Sequence, residues 1–218
     1  MTLCLSRLLK ERYLDFGNIF KRIVSEISLL AIILLFVTAF AHASPDYRKI
    51  FDGTDASFLL IDTKINKPLA TYGSSRCSKR LPPCSTFKIP LNLMAFEEGT
   101  FKTPDEVIPW DEKVHSRKEL NQDQTPTTWI QRSAVWVSEV VVGKIGIKKL
   151  SSYLKRFAYG DQNVSSGGTF WNGGSLNLSP NEQAKFLRSV QLGELGLKKA
   201  TIDKFKASLL SKVMSDGT

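Results

Sequence analysis

The hydrophobic positions change their spacing three times along the chain. Ile27 to Phe40 is a nearly unbroken apolar run. Ser57–Asp62 and Pro68–Gly73 are short apolar runs separated by the turn-like Thr63–Lys67, which predicts a β-hairpin. From Ser85 onward the spacing becomes helical. Phe87, Leu91, Met94 and Ala95 fall on one face, and Gly99 after Glu98 marks a C-cap. Pro90 is tolerable there only because it lies near the first turn, where a missing N–H costs little. Residues 101–128 are polar and interrupted by Pro104, Pro109 and Pro126, a loop with Trp110 and Trp129 as its anchors. Trp129–Val142 reads as one heavily apolar helix with Ser133 as its polar interruption. Ile147–Phe157 is amphipathic, with Ile147, Leu150, Leu154 and Phe157 on one face and lysines off it. Ser179-Pro180-Asn181-Glu182 has capping-box spacing with proline at the first helical position. It opens a helix through Ala184, Phe186, Leu187 and Val190. A last helix runs from about Thr201 through Ile202, Phe205, Leu209 and Leu210. The predicted class is α+β: a helical body attached to an unfinished antiparallel sheet.

The early apolar run is too short for a membrane span, which needs about 20 residues. Lys21 and Arg22 precede it, and Ala41-His42-Ala43 follows with the small-x-small pattern of a cleavage site. Residues 1–43 are therefore expected to be a signal peptide with an extended n-region. Residues 44–218 form one domain, exported to the periplasm and not retained in the membrane. The whole chain has 218 residues, a net charge of +9 and a pI near 9.5. Its lysines are scattered and form no basic run, which argues against nucleic acid. Gly167, Gly168, Gly173 and Gly174 surround Phe170-Trp171 but lack the strand–G-x-G-x-x-G–helix context of a nucleotide cradle. Beyond residue 43 one histidine remains, His115, and there is no C-x-x-C, so no metal site is expected. Cys77 and Cys84 form an even pair in a chain bound for an oxidising compartment. They could bridge or remain free thiols.

The chemistry centres on Pro83-Cys84-Ser85-Thr86-Phe87-Lys88. Ser85 and Lys88 lie three apart at a helix start, on one face. A serine hydroxyl is a weak nucleophile until a base takes its proton, and a desolvated lysine can serve. At the N-terminus of a helix the free N–H groups favour developing negative charge, and the Ser85 N–H would form half of an oxyanion hole. The same spacing also describes a helix cap followed by a surface lysine, so S-x-x-K alone is weak.

Taken in order, Ser85-x-x-Lys88, Ser133-Ala134-Val135, Tyr159-Gly160-Asp161 and Phe170-Trp171 strongly resemble the class D, oxacillinase-type serine β-lactamases. The likeness runs from about Phe51 to Thr218. It implies a β-lactamase/transpeptidase-like fold and hydrolysis of β-lactam antibiotics, penicillins and oxacillin-type compounds, through an acyl-serine. Ser85 would be the nucleophile and Lys88 a carbamylated general base formed with carbon dioxide, with no other cofactor. Ser133 would shuttle a proton. Phe87, Val135 and Trp171 would wall the carbamate pocket, and Tyr159, Gly160 and Asp161 would form a structural loop at its edge. A homodimer is compatible with this reading. The family pattern has Y-G-N where this chain has Y-G-D, which puts the amide contacts of the asparagine in question. The pattern also continues to K-T-G or K-S-G on a strand, and none follows before Thr218. The resemblance therefore implies a C-terminally truncated domain of low stability and little activity. A non-catalytic remnant, a β-lactam sensor that acylates without turnover and a D,D-peptidase are the competing readings.

Overall fold

The computed structural model describes residues 45–209. The expected signal peptide, residues 1–43, and Leu210 of the last helix lie outside the described residues. The chain divides into two units, Met1–Asp52 and Gly53–Thr218. Within the first, α1 (Tyr47–Ile50) is capped by Asp46, whose carboxylate accepts from the Arg48 and Lys49 N–H groups.

The second unit begins with the expected hairpin. β1 (Phe58–Asp62) pairs antiparallel with β2 (Lys67–Tyr72), from Phe58–Tyr72 to Asp62–Lys67, with an irregularity between Leu60 and Ile61. Pro68 cannot donate to the ladder and sits at that irregularity. Among the described residues this is a two-stranded sheet. The rest is helical: α2 (Lys88–Glu97), α3 (Pro126–Arg132), α4 (Val135–Ile145), α5 (Ile147–Arg156), α6 (Pro180–Leu192) and α7 (Lys199–Leu209). None of the described helices is long and apolar enough to cross a membrane.

α2 is the hub. Leu91, Leu93, Met94 and Ala95 are fully buried, and the helix packs against α4 and α7. A two-stranded ribbon cannot supply such a core. The helices build it with Trp129, Val137, Val141, Leu150, Leu154 and Phe186. Ends of elements are stitched by carboxylates. Glu97 Oε2 accepts from the Lys198 N–H at 3.3 Å and the Thr201 hydroxyl at 2.5 Å, so one α2 residue caps the start of α7. Glu98 binds Lys149 and the Tyr153 hydroxyl of α5.

Three expectations change. The single helix over 129–142 is two helices, because Ser133 adopts a left-handed conformation (φ 55°, ψ 43°) that no helix can continue through. Ile147 is exposed, because the buried face of α5 is carried by Leu150, Tyr153, Leu154 and Phe157. Leu187 and Leu209 are also exposed, and they line an apolar groove with Leu59, Ile61 and Phe205. The capping box at α6 forms as expected. The Ser179 hydroxyl accepts from the Glu182 N–H, and Glu182 Oε2 accepts from the Ser179 N–H at 2.9 Å. Arg80 holds the same carboxylate, so Glu182 titrates at about 2, far below the usual range. Ser179→Ala should lower stability by about 1 kcal/mol, read as a lower urea midpoint with unchanged slope.

Candidate active site

Ser85 lies in a 3-10 turn, Cys84–Phe87, that feeds directly into α2 at Lys88. The turn is anchored on both sides. The Cys84 N–H donates to the Trp171 carbonyl at 2.9 Å, and the Thr86 hydroxyl donates to the Pro83 carbonyl at 2.7 Å. Cys84 itself has φ 49°, which turns the chain sharply before the serine. Ser85 is exposed, as a nucleophile must be, whereas Lys88 one turn on is only 3% exposed.

Lys88 Nζ donates to Ser85 Oγ at 3.3 Å. The Ser133 hydroxyl donates to the same oxygen at 2.8 Å, although 48 residues separate the two serines. The left-handed turn that breaks the long helix is thus what delivers Ser133 to Ser85. Burial pulls the Lys88 amine down from 10.5 to about 8, with a further push from the Arg117 charge and a small opposing effect of Cys84. About a tenth of the amine is then neutral at pH 7, far more than an ordinary lysine, and that lone pair can take a proton from Ser85. It can also add carbon dioxide.

The walls are aromatic. Phe87 stacks on Trp171 with centroids 5.4 Å apart at 22°, and meets Phe170 edge-on at 5.3 Å. Tyr159 joins at 6.1 Å from Phe87, and its hydroxyl donates to Gln183 at 3.1 Å. Burial holds the Tyr159 phenol far above its ordinary value, so it stays neutral. Val135, the third pocket candidate, is half-buried at the first turn of α4.

The edge loop is tied to the nucleophile through backbone. The Asp161 N–H donates to the Asn177 carbonyl at 3.0 Å, and Leu178 exchanges both backbone bonds with Leu81, at 2.8 and 3.1 Å. Leu81 leads through two prolines to Cys84 and Ser85. In the Y-G-D loop Asp161 serves as an acceptor. Asp161 accepts from the N–H groups of Asn163 and Asn177 at 3.2 and 3.0 Å, and from the Asn177 side-chain amide at 3.4 Å. Those contacts need acceptors, which a carboxylate supplies as well as an amide.

Cys77 and Cys84 are free thiols. Cys77 is buried with Sγ 3.8 Å from the Tyr72 carbonyl, while Cys84 is exposed, so the two face different surroundings. His115 binds Asp111 at 2.8 Å and stacks on Trp136, a structural role in the 110–124 loop. Among the described residues no group of three or more His, Cys, Asp or Glu is placed to hold a metal.

Sequence reasoning left two local features unread, the partner of Trp129 and a second capping box. Trp129 is wholly buried with its indole N–H donated to Ser138 at 3.0 Å, a pairing that helical spacing alone does not reveal. The capping box formed by Thr125 and Thr128 at α3 was readable from Thr125-Pro126, the same signal that marks α6.

Residues 56–213 match the penicillin binding protein transpeptidase domain. The chain is 35% identical over 187 residues to β-lactamase OXA-1 of Escherichia coli, covering 81% of this chain and 67% of that protein. It is 38% identical over 135 residues to β-lactamase OXA-10 of Pseudomonas aeruginosa, covering 62% and 51%. The solved class D β-lactamase from Bacillus subtilis superposes with a TM-score of 0.74 at 26% identity, over 79% of this chain and 73% of that one. Together with the Ser85–Lys88–Ser133 cluster, these matches show that the chain belongs to the class D β-lactamases, within the transpeptidase-domain enzymes. The chain spans between about half and two thirds of the length of these two curated relatives, 51% and 67%.

Proposed function

We propose that this protein hydrolyses β-lactam antibiotics, penicillins and oxacillin-type compounds among them, through an acyl-enzyme on Ser85. One observation supports this above the others: Ser85 Oγ accepts from both Lys88 Nζ, at 3.3 Å, and Ser133 Oγ, at 2.8 Å. The Ser85 proton passes toward Lys88 while Oγ attacks the lactam carbonyl, with the Ser85 N–H at the helix start facing the developing oxyanion. The lactam C–N bond breaks as Ser133 hands its proton to the departing nitrogen and takes back from Lys88 the proton that left Ser85. Lys88 is suited to carrying a carbamate, because its amine is buried, titrates at about 8 and feels the Arg117 charge. When carbon dioxide adds there, the group supplies a carboxylate-like base for acylation and for activating the hydrolytic water. Phe87 and Trp171 keep that side dry. The signal-like residues 1–43 support a periplasmic location, and a homodimer is compatible with this reading.

Incubation of the protein with benzylpenicillin, followed by intact-mass and peptide analysis, tests the proposal. The expected result is an adduct on the Ser85 peptide that decays as penicilloate is released. No adduct, or an adduct on another residue, refutes the mechanism. An adduct that persists for hours places the protein with sensors and not with hydrolases.

A further inference from the structure

Arg117 is an exposed arginine that no catalytic step above uses, yet the structure builds a frame around it. Its loop is pinned by paired backbone bonds between Ile108 and Gln124 and by the Trp110 N–H on Asp123 at 2.9 Å. The His115 N–H donates to Asn121 at 2.6 Å, and the Trp136 indole donates to the Leu120 carbonyl at 3.2 Å. From this loop the Arg117 guanidinium donates to the Arg132 carbonyl and pairs with Glu119 at 3.3 Å. Arg132 immediately precedes Ser133, so the carbonyl that Arg117 holds belongs to the left-handed turn presenting the Ser133 hydroxyl.

We propose that Arg117 is a positioning residue of this site. Anchored on the Arg132 carbonyl, it holds the turn that delivers Ser133 to Ser85 and fixes a positive charge beside Lys88. Three influences bear on the Lys88 amine: burial, the Arg117 charge and the Cys84 thiol, with the Ser85 hydroxyl in contact. Burial and Arg117 act together to favour the neutral amine, and Cys84 opposes them weakly. The charges around Arg117 itself are Glu119, its ion-pair partner, and Arg132, which bonds the Glu119 carbonyl and Gln124. The same cation also favours the carbamate. Carbon dioxide adds to a neutral amine, giving an N-carboxylate and releasing one proton, so a nearby positive charge disfavours the competing ammonium and stabilises the product. An arginine fork is needed for this because it can grip a carbonyl and keep its charge at every relevant pH.

The test uses full-length protein labelled with 15N-lysine in bicarbonate-free buffer, with the Lys88 signal assigned by its loss in Lys88→Met. The amine midpoint should lie near 8 in the native protein. It should rise by about half a pH unit in Arg117→Met and stay in place in Arg117→Lys, which keeps the charge. With 13C-bicarbonate at pH 7.5, the carbamate signal should fall about threefold in Arg117→Met, the fold-change that half a unit implies. Acylation by benzylpenicillin should slow about tenfold in Arg117→Met and less in Arg117→Lys, which loses only the fork. An unmoved midpoint in Arg117→Met overturns the proposal, and so does an equal rise in both variants. Only the kinetic arm rests on the acyl-serine reading. If native protein forms no adduct, that reading falls while the titration still decides the role of Arg117.

Discussion

Lys88→Met is expected to slow acylation by benzylpenicillin about 10³-fold and, at the same time, to make the protein more stable at pH 7. The rate loss follows from the base: positioned proton transfer contributes about 10²–10⁴. The gain in stability follows from the amine's environment. In the folded chain the amine titrates at about 8, in place of 10.5, because it is buried and feels the Arg117 charge. In the unfolded chain it returns to its ordinary value. Below pH 8 both states carry the proton, and the folded state bears the full cost of a buried ammonium, of the order of 2 kcal/mol once water at the open side is allowed for. Between about 8 and 10.5 the unfolded chain holds a proton that the folded chain lacks, so stability rises with pH across that window. Methionine fills similar space, with no proton to bind. Urea midpoints measured in bicarbonate-free buffer at pH 7 and pH 10 should converge as pH rises, with the variant ahead at pH 7. Equal midpoints at pH 7 would mean that burying the Lys88 ammonium carries no cost, and that the amine titrates at its ordinary value in the folded chain. A site residue that costs stability is what a function-driven position looks like, since selection retains it against the folding balance.

Much of this site was legible because its signals are local. Ser85 and Lys88 are one turn apart at a helix start, and Ser179 with Glu182 writes its cap in four residues. The aromatic wall was legible by resemblance, which named Phe87 and Trp171 as walls and quoted Phe170 only beside Trp171, without a wall role, although it is the third ring of the cluster. What stayed hidden depends on conformations and distances that spacing does not encode. Ser133 has a role by resemblance, but by spacing it is only a polar interruption in an apolar helix. Only its left-handed backbone shows that the helix must break there, and that the break makes the site. Arg117 sits in a polar loop indistinguishable by composition from solvated surface, and its placement depends on contacts to residues 132 and 119. The apolar side chains that failed to bury, Leu187 and Leu209, follow the helical period correctly. Period identifies a face, and burial depends on what lies opposite it.

Gly160→Ala is expected to be the most damaging small substitution at the edge of the site, costing about 2–4 kcal/mol and slowing acylation by Ser85. Two effects combine. Gly160 has φ 56°, which costs an alanine about 1 kcal/mol. A Cβ there would also press into the Asn177 carbonyl oxygen, 3.1 Å from its carbonyl carbon and 3.3 Å from the Leu178 Cα. All three atoms are backbone, so no side chain can swing aside, and overpacking of this kind typically costs about 1–3 kcal/mol. The segment cannot retreat cheaply either. Asn177 accepts from the Asp161 N–H, and Leu178 is bonded in both directions to Leu81, three residues before Cys84. Moving 177–178 therefore strains the turn that presents Ser85. Gly168→Ala is the matched control: its φ of 47° carries the same backbone penalty, but its Cβ would meet nothing within 4 Å. Thermal unfolding should separate the two variants clearly, with Gly168→Ala losing only about 1 kcal/mol and acylating at the native rate. Equal losses in the two would show that the penalty is conformational alone and that the 177–178 segment yields. The contact between the edge loop and the strand-like segment would then not brace the nucleophile.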